Sequence, residues 1–261
     1  MRRIESAANA TLKQARALAH DARARARDDR TVLEGEHLCR AWLDRGWLPE
    51  RVLVDEDSLG RAEVAACVAR LESAQVDVAA VPAQLLKAAC STDTVVPLLG
   101  IVRPRPGDPA LCAGTDSLLL DGVQDPGNVG TLLRTAAAAG VRHAICGPGC
   151  ASVWSPKVLR AGMGAHAALN LIEVDDLPSF AARLGVPLVG ADAGAAEFVH
   201  RADLSGPIAW VFGAEGAGLS AGMRRVLTRT VAIAQTDAVE SLNVAAAAAV
   251  CLFEMRRQRL G

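Results

Sequence analysis

The sequence predicts an α/β fold: a parallel sheet covered by helices, preceded by a smaller α/β module. Three observations carry this. Beyond residue 114, short apolar runs alternate with helical stretches, the pattern of a parallel sheet with helices on both faces. Over Arg103-Pro104-Arg105-Pro106-Gly107-Asp108-Pro109, three prolines in six residues can continue neither a helix nor a central strand. Residues 1–102 alternate helix and strand on their own account. The chain therefore reads as a domain over 1–102, a linker over 103–114 and a second domain over 115–261. Its 261 residues, 51% of them hydrophobic, suffice for two modest domains with buried cores.

In the first domain an amphipathic stretch from Asn9 to about Arg27 predicts a helix. Thr31-Val32-Leu33 reads as a strand, His37 to Trp47 as a helix and Val52-Leu53-Val54 as a strand. A helix over Ala62–Ser73 and an extended piece near Val76–Val81 follow. In the second domain the predicted strands are Ser117–Asp121, His143–Cys146, Leu169–Val174, Pro187–Ala191, Ile208–Phe212 and Thr230–Ala234. The predicted helices are Val129–Ala139, stopped by Gly140, one after Ser155-Pro156, Leu177–Leu184, Ala221–Leu227 and a long one over Asn243–Arg259.

Composition excludes several classes. No apolar run reaches the ~18 residues a membrane span needs. Met1-Arg2-Arg3 leads into an amphipathic stretch, unlike a secretory signal, so a cytoplasmic protein is expected. The seven cysteines (Cys39, Cys67, Cys90, Cys112, Cys146, Cys150, Cys251) form no Cys-x-x-Cys pair, so they indicate neither a zinc site nor a disulfide framework. His20, His37, His143, His166 and His200 show no ligand spacing, so no metal is expected. Net charge is −1, yet residues 1–30 hold eight basic residues, Lys13 and Arg16 among them, against four acids. That local excess reads as a solvated helix face or as an element tracking phosphates.

In a parallel α/β sheet, ligands gather at the carboxyl ends of the strands, and three strand ends carry unusual loops. The first runs from Asp121 through Asp125-Pro126-Gly127-Asn128-Val129-Gly130 into a helix. Val129, Leu132, Leu133, Ala136 and Ala137 make its buried stripe, and Arg134 points roughly 130° away from the middle of it. Asn128 is either an N-cap or a ligand-facing amide, and Arg134 either a solvated side chain or a ligand clamp. The second, Phe212-Gly213-Ala214-Glu215-Gly216-Ala217-Gly218-Leu219-Ser220, has three glycines in six residues around one acid, so backbone can approach a ligand. The third, Glu240-Ser241-Leu242-Asn243, opens the last helix, where Ser241 and Asn243 are reasonable caps and free amides face outward.

Together the loops resemble the three motifs of the SpoU/TrmH family of RNA 2′-O-ribose methyltransferases, in order and at that family's approximate spacing, all within residues 118–258. Phe253-Glu254-Met255-Arg256-Arg257-Gln258 resembles the end of the third motif, and the segment Ser155–Ala165 resembles the family between the first and second. More weakly, Ile4-x-Ser6-x-x-Asn9-x-x-x-Lys13 and Val32-Leu33-Glu34-Gly35 are similar to a substrate-recruiting RNA-binding domain found in many members. One departure stands out. Where members often carry Ile-Pro-Met-x-Gly before the third motif, this chain has Ile233-Ala234-Gln235-Thr236-Asp237, which implies a differently shaped wall for the methionine moiety.

The resemblance implies a C-terminal trefoil knot, otherwise very rare, a homodimer and S-adenosylmethionine as methyl donor with no metal. By residue match, Asn128, Arg134, Glu215, Ser241 and Asn243 form the polar catalytic set, and the backbones of Gly213, Ile233 and Leu242 hold the cofactor. Arg134 is either the base or, since guanidinium pKa values lie above ~12, a phosphate clamp that stabilises alkoxide charge. Lys157 and Arg160, with Lys13 and Arg16, are either RNA phosphate contacts or solvated residues. Ribosomal RNA is the expected substrate, and transfer RNA the alternative. A non-catalytic RNA-binding protein of the same fold is the second reading. A dinucleotide-dependent oxidoreductase is the third, disfavoured because Gly127-x-x-Gly130 lacks the full Gly-x-Gly-x-x-Gly and the second strand ends without an acid.

Overall fold

The computed structural model describes residues 1–236 and 241–260, so Asp237 and Glu240 of the motifs above lie outside the described residues. Contacts divide the chain into two units: Met1–Arg105 with Trp154–Ala167, and Pro106–Val153 with Ala168–Gly261.

The first unit contains β1 (Arg2–Arg3), α1 (Ala10–His20), α2 (Ala22–Asp28), β2 (Thr31–Glu34), α3 (Glu36–Asp44), β3 (Arg51–Asp55), α4 (Ala62–Ser73), β4 (Asp77–Val81), α5 (Ala83–Ala89) and β5 (Leu98–Val102). Its sheet runs β1-β4-β3-β5-β2. The β1, β4 and β3 strands are parallel, while β5 pairs antiparallel with both β3 and β2. Leu12, Ala15 and Leu18 recur at helical spacing on α1 and bury against Val32, Leu53, Ala79, Leu99 and Ile101 of the sheet.

The single helix expected over 9–27 is broken. Asp21 leaves helical geometry and its carboxylate accepts from the Arg23 amide at 2.8 Å, ending α1 and capping α2. Periodicity did not reveal β1, α5 or β5, whose two, seven and five residues are too short for a pattern to stand out.

The second unit begins with β6 (Ser117–Asp121), α6 (Pro126–Ala139) and β7 (His143–Cys146). The next helix, α7 (Pro156–Gly162), makes its contacts with the first unit. Trp154 lies edge-on to Trp42 with ring centroids 6.3 Å apart, and the Thr31 hydroxyl donates to the Trp154 carbonyl at 2.7 Å. Arg160 of α7 pairs with Glu34, whose side chain is fully buried at the end of β2. These contacts join positions more than a hundred residues apart, which no local pattern reports.

The second unit continues with β8 (Asn170–Glu173), α8 (Leu177–Ala181), β9 (Leu188–Ala191), β10 (Ala209–Gly213), α9 (Ala221–Val226), β11 (Arg229–Val231) and α10 (Val244–Arg259). All six strands are parallel, in the order β11-β9-β10-β6-β7-β8. Residues alternate between the faces. Leu119, Ile145 and Val211 point to one, under α8 and α9. Trp210 and Phe212 alternate with Val211, stack with centroids 6.0 Å apart, and the Trp210 indole meets Met255 Sδ of α10 at 3.3 Å. From β6 the chain builds outward to β8, then crosses to β9 and returns through β10. The reversal falls at the β10–β6 pair, where an open parallel sheet forms its ligand crevice.

Candidate active site

The crevice is built from register. Gly213 pairs with Asp121, so the loops leaving β10 and β6 start side by side at the carboxyl edge of the sheet. Asp121 ties them together, its carboxylate accepting from the Ser220 amide at 2.6 Å. The Ser220 hydroxyl in turn accepts from the Met223 amide and caps α9.

After β6, α6 begins three residues earlier than the apolar stripe predicts. Asp125 is its N-cap, accepting from the Asn128 amide at 2.8 Å, and Pro126 occupies the first helical position. Asn128 is therefore not the cap, and its side-chain amide is free for other partners. The signal for this was present in Asp125-Pro126, a cap residue followed by a helix-starting proline.

After β10 the chain folds back on itself. Ala214 and Gly218 exchange backbone hydrogen bonds of 3.0 and 2.8 Å, and Gly216 and Gly218 adopt φ of +85° and +67°. A Cβ on Gly213 would lie 2.3 Å from the Gly218 carbonyl carbon. The glycine at the end of β10 is thus required by the return of its own loop. Glu215 stands exposed at the tip of that turn.

The third loop ends at Asn243, which caps α10 by accepting from the amides of Ala245 and Ala246 at 2.9 and 3.3 Å. Its Nδ2 donates to Asn128 Oδ1 at 3.1 Å, and Asn128 Nδ2 donates to Glu215 Oε1 at 2.7 Å. The Gln124 amide reaches the other Glu215 oxygen at 3.4 Å. Direction is fixed at both ends, because helix amides only donate and a carboxylate only accepts. Asn128, Glu215 and Asn243, brought from three loops, form one hydrogen-bonded chain.

Arg134 and Ser241 stand apart from it. Both are exposed, and neither side chain makes a hydrogen bond or ion pair among the described residues. Ile233 is half-buried just past β11, and Leu242 is 39% exposed. Among the described residues, the main-chain groups of 233–236 and 241–242 make no hydrogen bond. Apolar surface beside free main-chain donors and acceptors suits an adenosyl group. Lys13 and Arg16 are exposed three residues apart on α1, and Lys157 is exposed on α7. Arg160 is instead engaged, donating to Glu34 and to Ser91 Oγ. Near the first loop, burial pushes the thiols of Cys146 and Cys150 up, so both stay protonated.

A parallel α/β unit that gathers a polar chain and free main-chain groups at its strand ends is the framework of a ligand-binding enzyme. The model of the SpoU rRNA methylase family matches residues 117–253, and that of the MRM3-like substrate binding domain matches residues 9–100. A Synechocystis protein described as an uncharacterized tRNA/rRNA methyltransferase is 34% identical over 98% of this chain and 94% of its own. The 23S rRNA (guanosine-2′-O-)-methyltransferase RlmB of Bordetella pertussis is 43% identical over 55% of this chain and 60% of that protein. The AdoMet-bound rRNA methyltransferase of Sinorhizobium meliloti superposes with a TM-score of 0.87 at 27% identity, covering 100% of this chain and 99% of that one. The chain belongs to the SpoU rRNA methylase family.

Proposed function

We propose that this protein transfers the methyl group of S-adenosylmethionine to a ribose 2′-hydroxyl of ribosomal RNA. The observation that carries the reading is the Asn243–Asn128–Glu215 chain at the carboxyl ends of the strands. The bound cofactor supplies an electrophilic methyl group. The chain's own residues supply orientation, and holding two reactants in line is the largest gain open to such a site. Asn128, pinned by Asn243 and Glu215, presents a rigid polar edge to the ribose. Ser241, exposed two residues before Asn243, offers a hydroxyl to the same sugar. Arg134 would clamp the neighbouring phosphate and stabilise alkoxide charge as the 2′-hydroxyl gives up its proton to solvent, with the oxygen–methyl bond forming as the sulfur–methyl bond breaks and S-adenosylhomocysteine leaves. Gly213, Ile233 and Leu242 line the cofactor's side, with the main-chain groups past β11 reading the adenine.

The homodimer belongs to this reading. Ala246, Val250 and Phe253 line one exposed stripe of α10, with Val250 43% and Phe253 47% exposed. Pairing through that stripe explains why Arg134 stands outside the hydrogen-bonded chain: the site is completed by a second copy. A C-terminal trefoil knot and a cytoplasmic location accompany the family reading, and no helix among the described residues is long and apolar enough to cross a membrane. RNA is recruited by the first unit, with Lys13, Arg16 and Lys157 as phosphate contacts. Ribosomal RNA is favoured over transfer RNA by the description of the matching methylase family and by the names of RlmB and the Sinorhizobium meliloti protein.

The test is methyl transfer from labelled S-adenosylmethionine to total RNA of a strain lacking the gene, with nucleoside analysis. Label is expected in a 2′-O-methyl nucleoside of ribosomal RNA, and lost with Asn128→Ala and Arg134→Ala. Label in transfer RNA moves the substrate. No transfer by a folded, RNA-binding protein overturns the enzymatic reading in favour of a non-catalytic binder.

A further inference from the structure

We propose that Asp125 is a positioning residue for methyl transfer, acting by keeping Asn128 from becoming the cap of its own helix. The inference rests on the function proposed above. Asp and Asn are about equally strong N-caps, and here they stand three residues apart at the mouth of one helix. Only one of them can start it.

The structure resolves the contest in favour of Asp125, by three means. Its carboxylate accepts from the Asn128 amide at 2.8 Å. Pro126 fits the first helical position, where its missing N–H is no loss. Gly127 leaves room, since a Cβ there would lie 2.9 Å from Asp125 Oδ1. The extra turn is secured by the Thr131 hydroxyl, which donates to the Gly127 carbonyl at 2.7 Å. Asn128 becomes the third helical residue, with its side-chain amide turned to Asn243 and Glu215.

Without the Asp125 carboxylate, the next strong cap along the chain is Asn128 itself. The helix then starts at Val129, and Asn128 Oδ1 turns to the amide of Gly130 or Thr131. That oxygen is the one that accepts from Asn243, so capping and catalysis compete for the same atom. The register of one helix start thereby decides whether the site is assembled.

A stability cycle tests this without relying on activity. Asp125→Ala, Asn128→Ala and the double variant are compared by urea unfolding. The proposal expects each single change to perturb folding little, because the other residue remains to cap. It expects the double variant to lose about fivefold more in the folding equilibrium constant than the two singles combined. Additive losses overturn it. On the kinetic side, Asp125→Ala is expected to lower kcat roughly a hundredfold while S-adenosylmethionine affinity stays within about twofold. Asp125→Asn, which keeps the cap, is expected to restore kcat. If Asp125→Asn is as inactive as Asp125→Ala, the carboxylate acts by some other route and the proposal fails. If the wild-type protein transfers no methyl group at all, the function is wrong, and the unfolding cycle still decides the cap.

Discussion

Asn243 holds two helices at once: its Oδ1 accepts from the first amides of α10, and its Nδ2 donates to Asn128 Oδ1 at 3.1 Å. The two roles separate by mutation. Asn243→Asp keeps the capping oxygen and adds a charge that suits a helix N-terminus. It removes the donor to Asn128, whose amide cannot turn over to compensate without pointing its oxygen at Glu215. Stability of the aspartate variant is expected within about 0.5 kcal/mol of wild type, whereas Asn243→Ala loses about 1 kcal/mol. Both are expected to lose methyl transfer by roughly a hundredfold. Equal activity of wild type and Asn243→Asp in single-turnover assays would show that the chain does not orient the substrate.

Gly213→Ala tests the turn after β10. The added Cβ would lie 2.3 Å from the Gly218 carbonyl carbon and 2.5 Å from the Leu219 amide nitrogen, both backbone atoms. Neither is a flexible side-chain end that could move aside. The loop must open, at about 1–3 kcal/mol, and Glu215 with it. Loss of S-adenosylmethionine affinity by isothermal titration, alongside a lower urea midpoint, is the expected result. Gly216→Ala is the milder comparison. No atom lies within 4 Å of its Cβ position, so only the left-handed φ of +85° opposes it, at about 1 kcal/mol.

What the sequence revealed and what it hid follow from range. The parallel strands of the second unit were legible because Leu118–Leu120 and Val211-Phe212 are short apolar runs between helices. The three loops were legible because their residue types are unusual for turns. The partner of each polar residue was not. Asn128 looks like a cap when considered alone, and the Asp125-Pro126 pair that takes that role is decided by the fold. Glu215 looks like an incidental acid until Asn128, 87 residues away, is found 2.7 Å from it. The Arg160–Glu34 pair lies beyond local reach for the same reason, since the two are 126 residues apart.

Arg160 and Lys157 lie three residues apart on α7, and the structure assigns them opposite behaviour. Glu34 is enclosed, with Arg160, Ser91 Oγ at 3.0 Å and the Ser91 amide at 2.5 Å around its carboxylate. Arg160→Ala leaves that charge buried and is expected to destabilise the first unit by about 3–5 kcal/mol. Lys157→Ala touches nothing buried and is expected within about 0.5 kcal/mol of wild type. The order reverses in RNA binding: Lys157→Ala should weaken binding and reduce the salt slope by about 1. A Lys157 variant with an unchanged salt slope removes that residue from the phosphate contacts.

Glu254 sets a pH dependence of known sign. Hydrogen bonds from Arg257 at 2.8 and 2.9 Å and from Gln258 at 2.9 Å hold its carboxyl at about 2, against an ordinary 4.5. A carboxyl held low in the folded state contributes stability that is complete above about 4.5 and lost as the pH falls toward 2. Gln258 links this group to the core side of the unit, donating to the Ala202 carbonyl at 3.0 Å and accepting from the Leu204 amide at 2.9 Å. The pair is solvent-screened, with Arg257 at 69% exposure, so its contribution is small. Urea midpoints of wild type and Glu254→Gln are expected to differ at pH 7 and to converge between pH 4 and about 2.5. A gap that persists unchanged at the acid end would mean that packing of the side chain, rather than its charge, carries the effect.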